Sequence, residues 1–274
     1  MQALTVILYL LLAIGLAPLL SGVIARLKNN LRLRAGQSIL QPYRNLRKLL
    51  GKEEIVPENS SWLFRAAPAI VFAASLTLFL LLRTNSLLSV IFVLALGRFF
   101  LALAALDAGS AFGGIGSSRE MFLASFVEPA ACLVILVLYL APGPAWSVAH
   151  ILAGLALLIV VLAETARQPV DNQETHLELT MVHEAMLLDH SGPALALLLL
   201  AAQIKQLFWL VLLVSLFVPL TALLPLGAGL LAAALVIALI EVGIAKYRLF
   251  KVPDLLVFGS ILALLAVAGA LLGV

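Results

Sequence analysis

The sequence predicts an all-α polytopic membrane protein, with about eight transmembrane helices and one interfacial amphipathic helix. Three observations predict it. Hydrophobic residues make up 64% of the 274 positions and charged residues only 11%, where soluble domains carry about 25% charge. Mean hydropathy is strongly positive, at +1.16. The apolar residues also fall into eight runs near the length of about 20 that a bilayer-spanning helix requires. The chain reads as a single integral membrane domain, 1–274, with two notable loops at 26–65 and 164–193.

Composition excludes several chemistries. The one cysteine, Cys132, lies in an apolar run, and disulfide frameworks, zinc sites and iron–sulfur clusters all need several such ligands. No metal site is assigned to the chain, and nothing in it points to nucleic acid. The first apolar run follows no basic segment and precedes no small-residue cleavage site, so it reads as a retained helix.

In order, the predicted spans are 3–24, 66–82, 87–107, 120–141, 147–164, 194–217, 225–245 and 255–273. The second and fifth are short. Orientation follows from the cytoplasmic excess of Lys and Arg. Alternate loops beginning with 26–65 hold fourteen of the 17 basic residues, against Arg83 alone on the other side. That predicts a multi-pass protein of the cytoplasmic (inner) membrane with both termini non-cytoplasmic. Arg98 and Lys205 are the two cations left within spans.

The loop 26–65 has two parts. Residues 26–37 are basic and read as irregular, with Asn29, Asn30 and Gly36 as breakers. Ile39, Leu40, Tyr43, Leu46, Leu49 and Leu50 then recur at helical spacing, with Arg44, Arg47 and Lys48 between them. That pattern predicts an amphipathic helix in the bilayer interface. It serves either as a lipid-surface anchor or as one wall of a cavity that opens to the membrane. Glu53, Glu54 and Pro57 end it, and Trp62 suits the aromatic belt before the next span.

Residues 108–119 hold four glycines. No Gly-Lys-Ser/Thr follows them and no strand precedes them, so they do not form a nucleotide cradle. A flexible connector is the expectation. If the next helix starts near Glu120, Glu128 lies about 12 Å along it, at roughly 1.5 Å per residue. Charges at such depth are costly unless paired, hydrated or protonated; they serve either as structural partners for a helix backbone or a basic residue, or as part of a proton or ion route. Asp107, Glu164 and Glu241 pose the same question. Arg98 and Lys205 are available partners, but sequence does not give the pairing.

The titratable groups concentrate in 164–192. This stretch holds Glu164, Asp171, Glu174, Glu178, Glu184 and Asp189, six of the fourteen acids, and three of the four histidines. Residues 173–190 contain no Pro or Gly and can be helical, which would put His176, His183 and His190 on one stripe. They cannot share a metal, since neighbours seven apart lie about 10 Å apart along a helix axis. The stretch reads either as a docking surface for another protein or as a string of carboxylates and imidazoles that relays protons. The two roles are compatible.

Four segments carry a family resemblance: LQPYRNLRKLLGKEEIVP (40–57), GSSREMFLASFVEP (116–129), AETARQPVDNQETHLEL (163–179) and AKYRLFKVPDLL (245–256). They resemble the quinone-site membrane subunit of respiratory complex I and its homologues in membrane-bound nickel–iron hydrogenases, nearly end to end. The stretch PVDNQETHLELTMVHEAMLLDHSG is similar to the hydrogenase branch, as in formate hydrogenlyase. The complex I pattern reads PFDLPEAE where this chain has PVDNQETH, so His176 stands at a usual carboxylate position.

The resemblance implies an eight-helix, tilted array and a non-catalytic membrane-anchor and coupling subunit. Glu128, Asp171, Glu174 and Glu178 match an acidic funnel, which Glu184, Asp107, Glu164, Lys205 and Glu241 would extend as a proton or ion route. Gln41, Lys48, Glu53 and Arg119 match a cavity entrance, with Arg167, His176 and His183 beside it. The implied partners are hydrogenase-like large and small subunits, iron–sulfur subunits and antiporter-like membrane subunits. The nickel–iron centre and clusters would sit in those partners, and no cofactor in this chain. The alternative is a quinone-binding subunit of a complex I-type NADH or ferredoxin:quinone oxidoreductase.

Overall fold

The computed structural model describes residues 2–84, 86–172 and 181–273. Among them are nine α-helices, α1 (Gln2–Leu31), α2 (Gln41–Leu50), α3 (Trp62–Thr84), α4 (Leu87–Asp107), α5 (Ala111–Leu140), α6 (Val148–Glu164), α7 (Gly192–Ser215), α8 (Leu223–Gly243) and α9 (Val252–Leu272). Seven are long and apolar enough to cross a membrane, and α6 is a shorter apolar helix. The fold is all-α and polytopic.

Packing follows an arc that nearly closes. Helix α7 touches α3, α3 touches α4, α4 touches α5, and α5 meets α6 and α9. Helix α6 returns to α7, while α1 and α8 pack together outside it. Helix α7 is therefore the axis of the core. Its Ile204, Leu207, Phe208, Trp209 and Leu210 are all at most 2% exposed. Burying five such side chains contributes about 2 kcal/mol each.

The amphipathic helix forms as its pattern requires. Pro42 sits in the first turn of α2, where its missing N–H costs nothing. No residue of α2 is buried. It is nevertheless fixed to the array: Tyr43 donates to the Gly15 carbonyl on α1. A Cβ at Gly22 would collide with the Ile39 carbonyl.

Four local expectations are corrected. Helix α1 continues through 26–31, past Asn29 and Asn30, because Leu27 packs on the core and Lys28 pairs with Glu241 at 2.7 Å. The break comes at Leu33, with φ of 54°. Helix α3 is not short but runs 23 residues. Asp107 starts it, its carboxylate accepting from the backbone N–H groups of Ser61 (2.7 Å) and Phe64 (3.3 Å).

The glycine-rich 108–119 is not a connector. Helix α5 begins at Ala111, capped by the Ser110 hydroxyl, which accepts from Gly113 at 3.1 Å. Gly113 abuts the Ala105 carbonyl of α4, and a Cβ on Gly116 would lie 2.9 Å from the Ala185 Cβ. These glycines permit close packing. Glu128 consequently lies about 25 Å along α5, not 12 Å.

The fourth correction concerns the central loop. Residues 173–180 lie outside the described residues. From Met181 to His190 the chain forms turns and one 3-10 turn, Glu184–Met186, rather than a helix. His183 and His190 do not share a stripe. Most of the loop is buried, with Met181, Val182, Ala185 and Met186 at most 3% exposed. It is a plug folded into the array. Gly192 ends it at φ of +53°, where a Cβ would stand 2.7 Å from the Glu53 carbonyl oxygen.

A buried charged axis as candidate functional site

Two charge clusters occupy the interior. In the first, Arg98 of α4 reaches three carboxylates: Glu120 (3.3 Å) and Glu128 on α5, and Glu164 at the end of α6. Lys205 of α7 also meets Glu164, at 3.3 Å. The Arg98 and Glu164 side chains are 7% and 2% exposed, whereas Glu128 is 36% exposed. Buried charge at this density persists only when paired and hydrogen-bonded. The guanidinium serves because its fork of donors addresses several carboxylates at once.

In the second, Glu241 of α8 accepts Lys28 of α1 and Arg167, both at 2.7 Å. Arg167 also donates to Gln206 at 3.2 Å, and Ser21 donates to the same oxygen at 3.1 Å. Among the described residues, one acid here meets two cations.

A cavity of about 230 Å³ joins the clusters. Its walls include Lys28 and Glu241 at one end, Glu164 and Lys205 at the other, and Asp171, His183 and Glu184 from the loop. Buried Gln203 Oε1, Gln206 Nε2 and Arg167 Nε have no hydrogen-bond partner among the described residues. Such a space has room for several waters at about 30 Å³ each, and those groups offer the bonds that ordered water requires. A smaller cavity of about 50 Å³ lies between Arg98, Glu120, Glu164, His183 and Lys205. Glu164, His183 and Lys205 line both spaces. Burial pushes the His183 imidazole below its ordinary range, and Lys205 adds to this, outweighing Glu120, Asp171 and Glu164.

The predicted residues divide accordingly. Glu164, Glu241, Lys205, Arg167, Asp171, Glu184 and His183 line the larger cavity, and Glu128 joins through Arg98. Asp171 also anchors the loop, accepting from Val182 (3.1 Å) and His183 (3.3 Å) N–H groups and pairing with Lys246 at 2.6 Å. Asp107 is placed apart, as the cap of α3. Arg119 donates to the Met181 carbonyl at 3.1 Å and so holds the loop. Gln41 bonds Asn45 within α2 at 2.9 Å, and Lys48 and Glu53 are exposed; these three line neither cavity. Glu174, His176 and Glu178 lie outside the described residues.

Sequence reasoning left out Lys28, Glu120, Gln203, Gln206 and Lys246. Gln203 and Gln206, polar residues in the long apolar run of α7, were the available signal. Lys28 carries no such signal, because Asn29, Asn30 and Gly36 after it favour a loop. Among the described residues, no group of three or more His, Cys, Asp or Glu could hold a metal ion.

Spanning helices wrapped around a charged, cavity-linked interior define a polytopic membrane protein built to keep ionisable groups inside its helix array. The family model described as NADH dehydrogenase matches residues 3–272, and the chain belongs to that family. It is 31% identical to formate hydrogenlyase subunit 4 of Escherichia coli K12 over 268 residues, covering 88% of this chain and 86% of that one. It is 34% identical to hydrogenase-4 component C of the same organism over 251 residues, covering 83% and 79%. Its fold is similar to a chain in the structure of the membrane-bound sulfane sulfur reductase, an archaeal respiratory membrane complex. The TM-score is 0.83 at 17% identity, covering 97% of this chain and 98% of that one.

Proposed function

We propose that this chain is the membrane-anchor and coupling subunit of a nickel–iron hydrogenase complex of the formate hydrogenlyase type. In this reading it docks a soluble redox module at its cytoplasmic face and has no active site of its own. The metal centres belong to the partner subunits. Its interior offers a proton route linked to their electron transfer.

The observation that carries the reading is the run of ionisable groups from Glu128 through Arg98, Glu164 and Lys205 to the cavity and Glu241. Glu164, Glu241 and Asp171 each already face a cation. A sodium ion would have to displace those cations, whereas protons pass between water, carboxylate and imidazole without doing so. That favours a proton as the transported species. Half-exposed Glu128 is the group freest to exchange one. The family description favours a second reading, a quinone-binding subunit of a complex I-type enzyme.

Affinity purification in mild detergent with metal analysis separates the two. Nickel and iron with a hydrogenase-like large subunit support the first reading; iron without nickel, with quinone and NADH-oxidising subunits, supports the second. Within the intact complex, Glu128→Gln should leave assembly unchanged and lower proton-coupled turnover several-fold. Unchanged turnover and unchanged proton movement would remove the role given to Glu128.

A further inference from the structure

We infer that the groove at the foot of α9 binds the phosphate headgroup of an anionic bilayer phospholipid. The groove is a shallow, open one of about 580 Å³, and its walls include Lys246, Tyr247, Arg248, Lys251, Asp254 and Phe258. None of these belongs to the charged axis except Lys246, which reaches back to Asp171. Three cations face one acid in the groove itself. Asp171 accounts for Lys246, and Asp254 offsets part of the remainder. Arg248 and Lys251 are exposed and take part in none of the ion pairs among the described residues.

The backbone there is held, not loose. Tyr247 N–H donates to the Pro169 carbonyl at 2.9 Å, and Lys251 N–H donates to the Arg248 carbonyl at 2.8 Å. The second bond closes the 3-10 turn Leu249–Lys251, so the backbones that carry Arg248 and Lys251 are fixed beside each other. Two exposed cations three residues apart on that fixed turn can converge on a phosphate, whose oxygens accept charge-assisted hydrogen bonds.

The surroundings select a lipid over a free anion. Phe250 is 87% exposed and Phe258 54%. From Phe258 an exposed apolar stripe continues along α9 through Ile261, Leu264 and Leu265, at helical spacing. The opposite face, with Leu256, Gly259, Ala263 and Ala266, is buried in the array, where α9 packs on α5 and α6. A headgroup over Arg248 and Lys251 would therefore lay its acyl chain on a ready apolar track. Basic clusters at the cytoplasmic ends of spanning helices bind anionic lipids by this combination.

The test uses the intact complex, delipidated in mild detergent and titrated with phosphatidylglycerol, phosphatidylcholine or inorganic phosphate. Bound lipid is counted by native mass spectrometry. Phosphatidylglycerol should bind and raise the unfolding midpoint, and the other two should not. Arg248→Gln with Lys251→Gln should weaken that binding about twenty-five-fold, about fivefold for each cation removed. The charge-conserving pair Arg248→Lys with Lys251→Arg should retain it, which guards against a folding defect in the neutral pair. The inference is overturned if the neutral pair binds phosphatidylglycerol as tightly as the parent does, or if inorganic phosphate competes as well as the lipid. It is also overturned if the neutral pair sheds a protein subunit while its lipid content stays the same.

Discussion

The two charge clusters use opposite stoichiometry. Around Arg98, three carboxylates surround the guanidinium and Lys205 supports one of them. Around Glu241, one carboxylate holds two cations. Among the described residues the first cluster thus has redundant acids, one of them 36% exposed, while the second shows one buried acid that is 4% exposed. Redundancy suits a site that must gain and lose a proton without collapse. At the far end of the route, Glu241 between Lys28 and Arg167 also ties α1 and α8 to the segment after α6.

The largest test removes the anchor. Glu241→Gln should destabilise the complex by about 3–5 kcal/mol, the usual cost of breaking a buried ion pair, read as a fall in the unfolding midpoint of the purified complex. Glu164→Gln should cost less, about 3 kcal/mol at most, because Arg98 keeps Glu120 and Glu128. A larger loss at Glu164 than at Glu241 would overturn the contrast between redundant and lone acids.

The plug that lies between the clusters has its own pH dependence. His190 is 3% exposed, stacked on Phe64 with ring centroids 4.1 Å apart, and burial pulls its imidazole down to about 4 against the opposing charge of Asp189. The unfolded chain therefore binds more protons than the folded one between about pH 6.5 and pH 4. Stability from neutral His190 is present in full above that window and lost as pH falls through it, by about 2–3 kcal/mol. His190→Phe should flatten this acid limb in thermal unfolding measured against pH; an unchanged limb would assign it to other groups. The smallest effect is at the seat of the plug. Gly116→Ala sets a methyl 2.9 Å from Ala185 and 3.1 Å from the Val182 carbonyl, at a cost of about 1–2 kcal/mol from overpacking. Faster hydrogen exchange in 181–190 would localise that cost to the loop.

Much of the site was legible as residue type and little of it as geometry. Glu128, Glu164, Glu241 and Lys205 stand out because a charge in an apolar run is conspicuous whatever surrounds it. Lys28 does not, because Asn29 and Asn30 are poor helix formers and give the run the look of a loop. Tertiary packing overrode that local preference. The glycines of 111–119 misled for a related reason. Gly weakens an isolated helix, but here Gly113 and Gly116 admit the Ala105 carbonyl and the Ala185 side chain. Asp107 shows the limit in the other direction, since a carboxylate at a helix end reads the same whether it relays protons or caps a neighbour.

What the sequence alone determined is the class of protein, the apolar helical runs and the amphipathic helix, because hydropathy and helical periodicity are local properties. Only the tertiary structure decided which charges pair. Arg98 reaches α5 and α6, and Glu241 reaches α1 and Arg167. A lone charge in an apolar run says that a partner is needed, and the relative placement of helices far apart in the chain says which one is within reach.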